Sequence, residues 1–417
     1  MATAIELDGE DVLARFKQEF YQPEGQIYMD GNSLGLMSQR AEAKLMELMD
    51  SWKIHGIDGW TEGANPWFTL AEEMSARIAP VIGAKPHEVI VTGSITSNIH
   101  QMLSTVFLPT AERFVIVVDE LNFPSDIYAV ESHLRLRGLD PATAVRKISS
   151  RDGYTLEYED IVSELKEDVA LLLLPSVLYR SGQLLPIREI TAAAHDKGIL
   201  AGFDLAHSIG ALPHELHLDG VDFAVWCHYK YMNSGPGGTG GLFIHERHHH
   251  LAPGNAGWFG SDKAKQFDMD HRFSKAEGAG AYQIGTPNIF SMAPLLGSLE
   301  MFEEAGIGAI REKSLKLTAW LRGLIRGQLP EFADVTPAED RERGGHIALA
   351  HPEAARICKA LKQAGVVPDF RSPNIIRLAP VAFYTSFADV EETVMRLKKI
   401  MQGELYKEFT NDRNVVA

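Results

Sequence analysis

Between about residue 70 and residue 310 the chain alternates short, wholly apolar runs with longer stretches whose apolar positions recur at helical spacing. The runs Glu88–Thr92, Arg113–Val118, Val169–Leu174, Ile199–Phe203, Phe223–Cys227 and Gly241–His245 have strand length. They lack the polar alternation of a half-exposed sheet, so they predict strands buried on both faces. Ser125–Leu136 and Ile187–Lys197 have helical spacing. Alternation of this kind needs crossover connections, which predicts an α/β fold with a mostly parallel central sheet flanked by helices. After Ile289 the pattern is helical over Ser291–Glu304 and Ile310–Gln328, and it becomes mixed from Gly344 onward, as in a smaller α+β domain. The expected organisation is an N-terminal segment (1–65) contributing to the small domain and the substrate site, a large domain (66–310) and a small C-terminal α+β domain (311–417).

Composition narrows the function classes. A chain of 417 residues, 45% apolar, with mean hydropathy −0.10, can bury a full core. Forty basic residues against 56 acidic ones give a net charge of −16, which argues against a nucleic-acid surface and leaves no basic patch for a membrane. The segment Met1–Gly9 is acidic and has no apolar stretch of signal-peptide kind. Cys227 and Cys358, the two cysteines, form no disulfide framework and no metal spacing, so the cytoplasm is the expected compartment.

The informative chemistry lies where strands end. The run Phe223-Ala-Val-Trp-Cys-His-Tyr-Lys230 finishes in a lysine followed by a glycine-rich loop reaching Gly241. A lysine at the mouth of a buried strand is partly desolvated and suited to attack on a carbonyl. The preceding strand ends at Asp204, with His207 three residues on. A strand-end carboxylate that keeps a pyridine nitrogen protonated, beside a lysine that holds an aldehyde as an imine, is what pyridoxal 5′-phosphate requires. Either residue alone reads more simply as a helix cap or a solvent-facing lysine; the two in this order, followed by glycines, favour the cofactor. In an open parallel sheet, ligands lie beyond the carboxyl ends of the strands. Thr92-Gly-Ser-Ile-Thr-Ser-Asn98 there opens a helix and offers backbone N–H groups to a phosphate, or is simply an N-cap by Ser94 or Thr96. Asn122-Phe-Pro-Ser-Asp126 brings an aromatic ring, a hydroxyl and a carboxylate to a second strand end. Phe123 reads either as a ring stacked on the cofactor or as a core aromatic beside a proline turn.

Five segments then occur in a telling order: Tyr28-Met-Asp-Gly-Asn-Ser-Leu-Gly35, Phe123-Pro-Ser-Asp126, Asp204-Leu-Ala-His207, Tyr229-Lys-Tyr-Met-Asn233 and Gly257-Trp-Phe-Gly260. With them the chain resembles the kynureninase family of fold-type-I pyridoxal phosphate enzymes, from roughly Tyr28 to Phe387. The resemblance implies that Lys230 carries the cofactor as a Schiff base, that Asp204 and Asp126 lie near its pyridine nitrogen, that His207 flanks the ring and that Phe123 covers its face. It implies that Ile95, Thr96 and Ser125 lie at the cofactor and that the Tyr229 hydroxyl reaches the phosphate and shuttles protons. Trp258 and Thr286 match phosphate contacts supplied by a neighbouring subunit, which implies a homodimer. Arg377, in Asn374-Ile-Ile-Arg-Leu-Ala-Pro380, matches the arginine that holds a substrate α-carboxylate, a bidentate task suited to guanidinium. Asn32 and Trp60 are expected near the substrate side chain, with plain packing the competing reading for Trp60.

The activity implied is hydrolysis of the β,γ carbon–carbon bond of L-kynurenine or 3-hydroxykynurenine, giving L-alanine and an anthranilate, within tryptophan catabolism and NAD biosynthesis. Three residues depart from the family pattern around the pocket: His228 in place of a small hydroxyl residue, Ser261 in place of a histidine, and Pro175 in place of a small polar residue. Two alternatives stay open: a related lyase or hydrolase acting on another amino acid, and a non-catalytic binding protein of the same fold. A cysteine desulfurase would need a nucleophilic cysteine on a mobile loop, and neither Cys227 nor Cys358 is so placed. No metal is assigned; His248-His-His250 reads as a solvated turn.

Overall fold

The structure, a computed structural model, describes residues 3–413. Its strands are β1 (Ile27–Tyr28), β2 (Val89–Val91), β3 (Val115–Asp119), β4 (Val145–Ile148), β5 (Val169–Pro175), β6 (Leu200–Asp204), β7 (Phe223–Cys227), β8 (Gly240–Ile244), β9 (Ala333–Asp334), β10 (Ile347–Ala350), β11 (Val366–Val367), β12 (Asp369–Arg371) and β13 (Ile375–Leu378). Seven form the central sheet in the order β2-β8-β7-β6-β5-β3-β4. The pairings from β7 to β4 are parallel, and β8 runs antiparallel to both its neighbours. The six strands expected from the apolar runs are all present. β4 was not expected, because Val145-Arg-Lys-Ile148 sits at the sheet edge with three of its four residues partly or wholly exposed, so it carries no apolar run.

β2, β3, β5, β6 and β7 therefore end on one edge of the sheet, and β8 begins there. Helices Ile95–Val106 and Pro124–Leu136 start at that edge, directly after β2 and β3. The glycines after Lys230 have a steric reason. A Cβ on Gly240 would come within 2.8 Å of the Trp226 carbonyl oxygen, and one on Gly241 within 2.2 Å of the Trp226 indole.

A second hydrophobic core lies under the antiparallel sheet β12-β13-β10-β9 and helices Ala354–Gln363 and Phe387–Gln402. Ala4, Ile27 and Met29 join this core, and β1 pairs in parallel with β11. Helix Ile307–Gln328 bridges the two cores: Ile310 belongs to the first, Leu317, Leu321 and Ile325 to the second. The N-terminal segment is likewise divided, since Leu13, Phe16, Phe20 and Leu48 pack into the first core. Between its two parts, residues 30–35 cross the edge of the central sheet where the strands end.

Candidate active site

A cavity of about 250 Å³ opens at that edge. It is lined by residues from the N-terminal segment, the edge of the central sheet and the small antiparallel sheet, including Asn32, Ile95, Thr96, Phe123, Ser125, Asp126, Asp204, His207, Tyr229, Lys230 and Arg377. Eleven positions scattered from residue 32 to residue 377 thus meet in one place because strands end and helices begin there.

Lys230 and its surroundings are positioned by the loop after β7. The Lys230 Nζ lies 3.1 Å from His207 Nε2. Burial, reinforced by the positive charge of Lys230, holds the His207 imidazole well below the usual histidine range, so it is neutral at neutral pH. The carbonyl of Tyr229 accepts the Gly35 N–H at 2.8 Å, which ties the lysine loop to the N-terminal segment. Burial pushes the Tyr229 hydroxyl upward, and Cys227 is the next contributor. His228 points elsewhere: it is fully buried, its Nε2 accepts the Trp226 indole N–H at 2.7 Å and its Nδ1 donates to the Thr239 carbonyl at 2.6 Å. It braces the glycine loop and does not line the cavity, as expected if neighbours along a strand face opposite sides.

Asp204, at the end of β6, is buried, and its Oδ1 accepts the Ala206 N–H at 2.7 Å. Asp126 enters from the first turn of helix Pro124–Leu136; its Oδ1 accepts the Ser125 hydroxyl at 3.3 Å and its Oδ2 has no partner among the described residues. Burial raises both carboxyls, and the negative charge of Asp204 raises Asp126 further. Two buried carboxyls with one orphan oxygen, facing a lysine amine, are an acceptor set completed by a cationic N–H donor such as a pyridinium. On the opposite wall, Ser94 caps helix Ile95–Val106 and leaves Ile95 and Thr96 at its N-terminus facing the cavity. The N-cap and the anion-binding readings of this segment describe the same geometry. Phe123 is 42% exposed and meets Tyr179 edge-on at 5.3 Å, so it is not a core aromatic. The residues present fit pyridoxal phosphate.

Arg377 is buried at 1% exposure, not a surface arginine. Across the β12–β13 hairpin it stands in register with Asp369 and donates to its carboxylate. It also donates to the Tyr179 carbonyl at 2.6 Å and to Ser33 Oγ at 3.1 Å. Arg371, which the sequence did not single out, donates to the same Asp369 carboxylate at 3.1 Å and to Ser33 Oγ at 3.2 Å. Its only signal was a position six residues before Arg377, and that becomes informative only once a hairpin folds the two together. Asp30 adds a carboxyl pushed up to about 7 by burial and by Asp369. Asn32 is fully buried, and neither polar atom of its side chain has a partner among the described residues. Pro175 and Cys227 also line the cavity wall.

Three expected residues do not line this cavity. Trp60 packs edge-on against Trp67 at 5.6 Å and tilted against Phe259 at 5.8 Å. Trp258 is 42% exposed beside Phe267, and Thr286 lines a separate depression with Gly93, Asn98 and Thr239. Ser261 Oγ donates to the Trp258 carbonyl at 2.6 Å, which fixes the turn that presents this tryptophan.

Residues 310–397 match the model of the kynureninase C-terminal domain. The chain is 58% identical to the kynureninase of Geobacillus thermodenitrificans and 56% identical to that of Bacillus anthracis, each alignment covering 99% of this chain and 97% of the relative. The chain belongs to the kynureninase family. Kynureninase-family membership is accompanied by a wider likeness of fold. A cysteine desulfurase from Thermococcus onnurineus NA1 superposes with a TM-score of 0.79 at 18% identity, covering 94% of this chain and 98% of its own. A cystine C–S lyase bound to cysteine persulfide gives 0.78 at 19% identity, covering 90% and 98%. Neither cysteine of this chain is presented as a desulfurase would need, since both Cys227 and Cys358 are buried and burial raises their thiols.

Proposed function

We propose that this protein hydrolyses the β,γ carbon–carbon bond of L-kynurenine or its 3-hydroxy relative, releasing L-alanine and the corresponding anthranilate. The observation that carries this reading is the meeting of Lys230, the Asp204–Asp126 pair and the Arg377–Arg371 cluster in one cavity of a chain 58% identical to a kynureninase. Pyridoxal phosphate, when bound, supplies an electron sink that stabilises negative charge developing on the substrate.

The protein's own groups do the rest. Asp204 and Asp126 would hold the cofactor's positive pyridine nitrogen, whose charge would bring both raised carboxyls back toward ionisation. Lys230 Nζ would remove the proton from the substrate α-carbon, and the neutral His207 accepts a hydrogen bond from it. Tyr229 delivers a proton as the β,γ bond opens. Across that bond the elements of water are added, hydroxyl to the γ-carbon and hydrogen to the β-carbon. The helix N-terminus at Ile95 and Thr96 would receive the cofactor's phosphate.

Arg377 and Arg371 hold the substrate α-carboxylate. Asp369 neutralises one of the two guanidiniums, and Asp30, with its raised carboxyl, does not fully neutralise the other, so a substrate carboxylate completes the cluster. Arg371 is the more accessible of the two, with 31% of its side chain exposed. Asn32, with its unpartnered amide, approaches the substrate side chain.

Trp258 and Thr286 act across a homodimer interface in this reading. Exposed Trp52, Ile54, Ile57, Phe267, Ile284 and Phe290 support such an interface. The unpaired cysteines support a cytoplasmic setting. The test is incubation of the cofactor-loaded protein with L-kynurenine and with 3-hydroxykynurenine, reading anthranilate fluorescence and alanine. Cofactor absorption without either product from either substrate would transfer the site to a different amino acid.

A further inference from the structure

A second cavity, of about 320 Å³, adjoins the catalytic one and shares Phe123, Tyr179 and Arg371 with it. Part of its lining is one face of helix Ala354–Gln363, where Ala355, Cys358, Lys359 and Lys362 recur at the three- and four-residue spacing that sets side chains in a row. Phe370 and Arg371 of β12 add to it, and Phe123 stands where helix Pro124–Leu136 begins. The cavity therefore lies where the small antiparallel sheet and its helix face the edge of the central sheet.

Its chemistry is aromatic and cationic, in a chain whose net charge is −16. Phe123 is exposed, and Tyr179 and Phe370 are half-buried. Lys362 is exposed and has no hydrogen-bonding or ion-pair partner among the described residues. Lys359 Nζ donates to two neutral oxygens, the Thr410 carbonyl at 3.0 Å and the Thr410 hydroxyl at 2.9 Å, so its charge is uncompensated. Asp412 and Arg413, which also line the cavity, carry opposite charges. Arg371 already has Asp369 as its counter-ion. Two lysines thus leave a net positive charge beside three aromatic rings, and the reaction proposed above uses neither lysine.

We propose that this cavity is a second ligand site, an antechamber for a small aromatic carboxylate. The anthranilate released by the proposed reaction is of that class, and the inference rests on that reading. The carboxylate would pair with Lys362 and Lys359, and the ring would lie among Phe123, Tyr179 and Phe370. A cavity of about 150 Å³ is enough for benzene, so about 320 Å³ holds one substituted ring. An amino acid fits less well, because its ammonium group would meet the two lysines. That difference separates the antechamber from the α-carboxylate site at Arg377. Since the cavities are contiguous at Phe123, Tyr179 and Arg371, product leaving Lys230 would pass from one to the other.

The test is equilibrium dialysis of the cofactor-loaded protein against anthranilate at low ionic strength. Two molecules are expected to bind per chain, one in each cavity. Lys362→Gln should weaken the outer site about tenfold, as loss of a hydrogen bond to a charged group does, and leave kcat for initial turnover unchanged. 2-Aminobenzamide, which lacks the negative charge, should not fill the outer site. Saturation at one molecule per chain or fewer, unchanged affinities in Lys362→Gln, or equal binding of the amide would overturn the proposal. Kynurenine turnover, measured on the same preparation, separates the two readings. Turnover with a single anthranilate site would remove the antechamber and keep the reaction, and two sites without turnover would do the reverse.

Discussion

Lys230 Nζ and His207 Nε2 stand 3.1 Å apart, with the imidazole kept neutral by burial. The lysine therefore has an acceptor built into the wall of its cavity. Lys230→Ala is expected to abolish both the visible absorption of the bound cofactor and turnover. His207→Phe removes the acceptor; hydrogen bonds to charged groups contribute about 1.5–3 kcal/mol, so kcat/KM should fall roughly 10- to 100-fold. His207→Gln keeps an acceptor and should recover part of the loss. Steady-state kinetics of the three variants decide the matter, and unchanged kinetics in His207→Phe would remove this residue from the proton pathway.

Gly35 shows how the N-terminal segment fixes the lysine. A Cβ there would sit 2.4 Å from the Lys230 carbonyl oxygen and 2.8 Å from Asn233 Cα, both of them backbone atoms that cannot swing aside. Gly35→Ala should cost about 1–3 kcal/mol of stability, as overpacking does, and lower cofactor occupancy by displacing the Tyr229–Lys230 loop. Thermal melts and the absorbance ratio of cofactor to protein measure the two effects. An unaltered melt would mean that the segment yields more readily than this packing implies.

Asp119, at the end of β3, is 1% exposed, and neither carboxylate oxygen has a partner among the described residues. Burial pushes its carboxyl from the ordinary 3.8 up to about 7. Between those values the folded chain binds more protons than the unfolded chain, so stability falls as pH rises through the window. The full effect is at most about 4 kcal/mol at about 1.4 kcal/mol per pH unit. Asp119→Asn stays neutral throughout. Its melting temperature should match the wild type below about pH 3.8 and exceed it by a margin that grows up to about pH 7; a constant difference across that range would contradict the assignment.

The sequence made legible whatever depends on local pattern. Buried strands appear as uninterrupted apolar runs, and residues that end them fall on one edge, so Lys230, Asp204, His207, Asp126 and the Ile95–Thr96 turn could be read before any coordinates. Pairings between distant segments could not. β4 is an edge strand with Arg146 and Lys147 at its centre, which hides it among loops. Arg371 and Asp369 matter only because β12 folds back on β13, and β1 joins the small core through two residues paired with β11. Trp60 illustrates the opposite case: an aromatic within a suggestive motif whose partners within the chain are Trp67 and Phe259.

The β12–β13 hairpin separates the roles of its charged residues. Asp369→Asn would leave the buried Arg377 without its counter-ion; losing one partner of a buried pair costs about 3–5 kcal/mol, so this variant should be poorly folded. Arg371→Gln removes a half-exposed guanidinium and leaves the Asp369–Arg377 pair intact, so its melting temperature should stay close to the wild type. If Arg371 shares the substrate carboxylate with Arg377, KM for kynurenine should rise about tenfold or more while kcat changes little, the pattern of lost ground-state binding. An unchanged KM with normal folding would leave the carboxylate to Arg377 alone. A fall in kcat at constant KM would instead place Arg371 among the groups that act only as the carbon–carbon bond breaks.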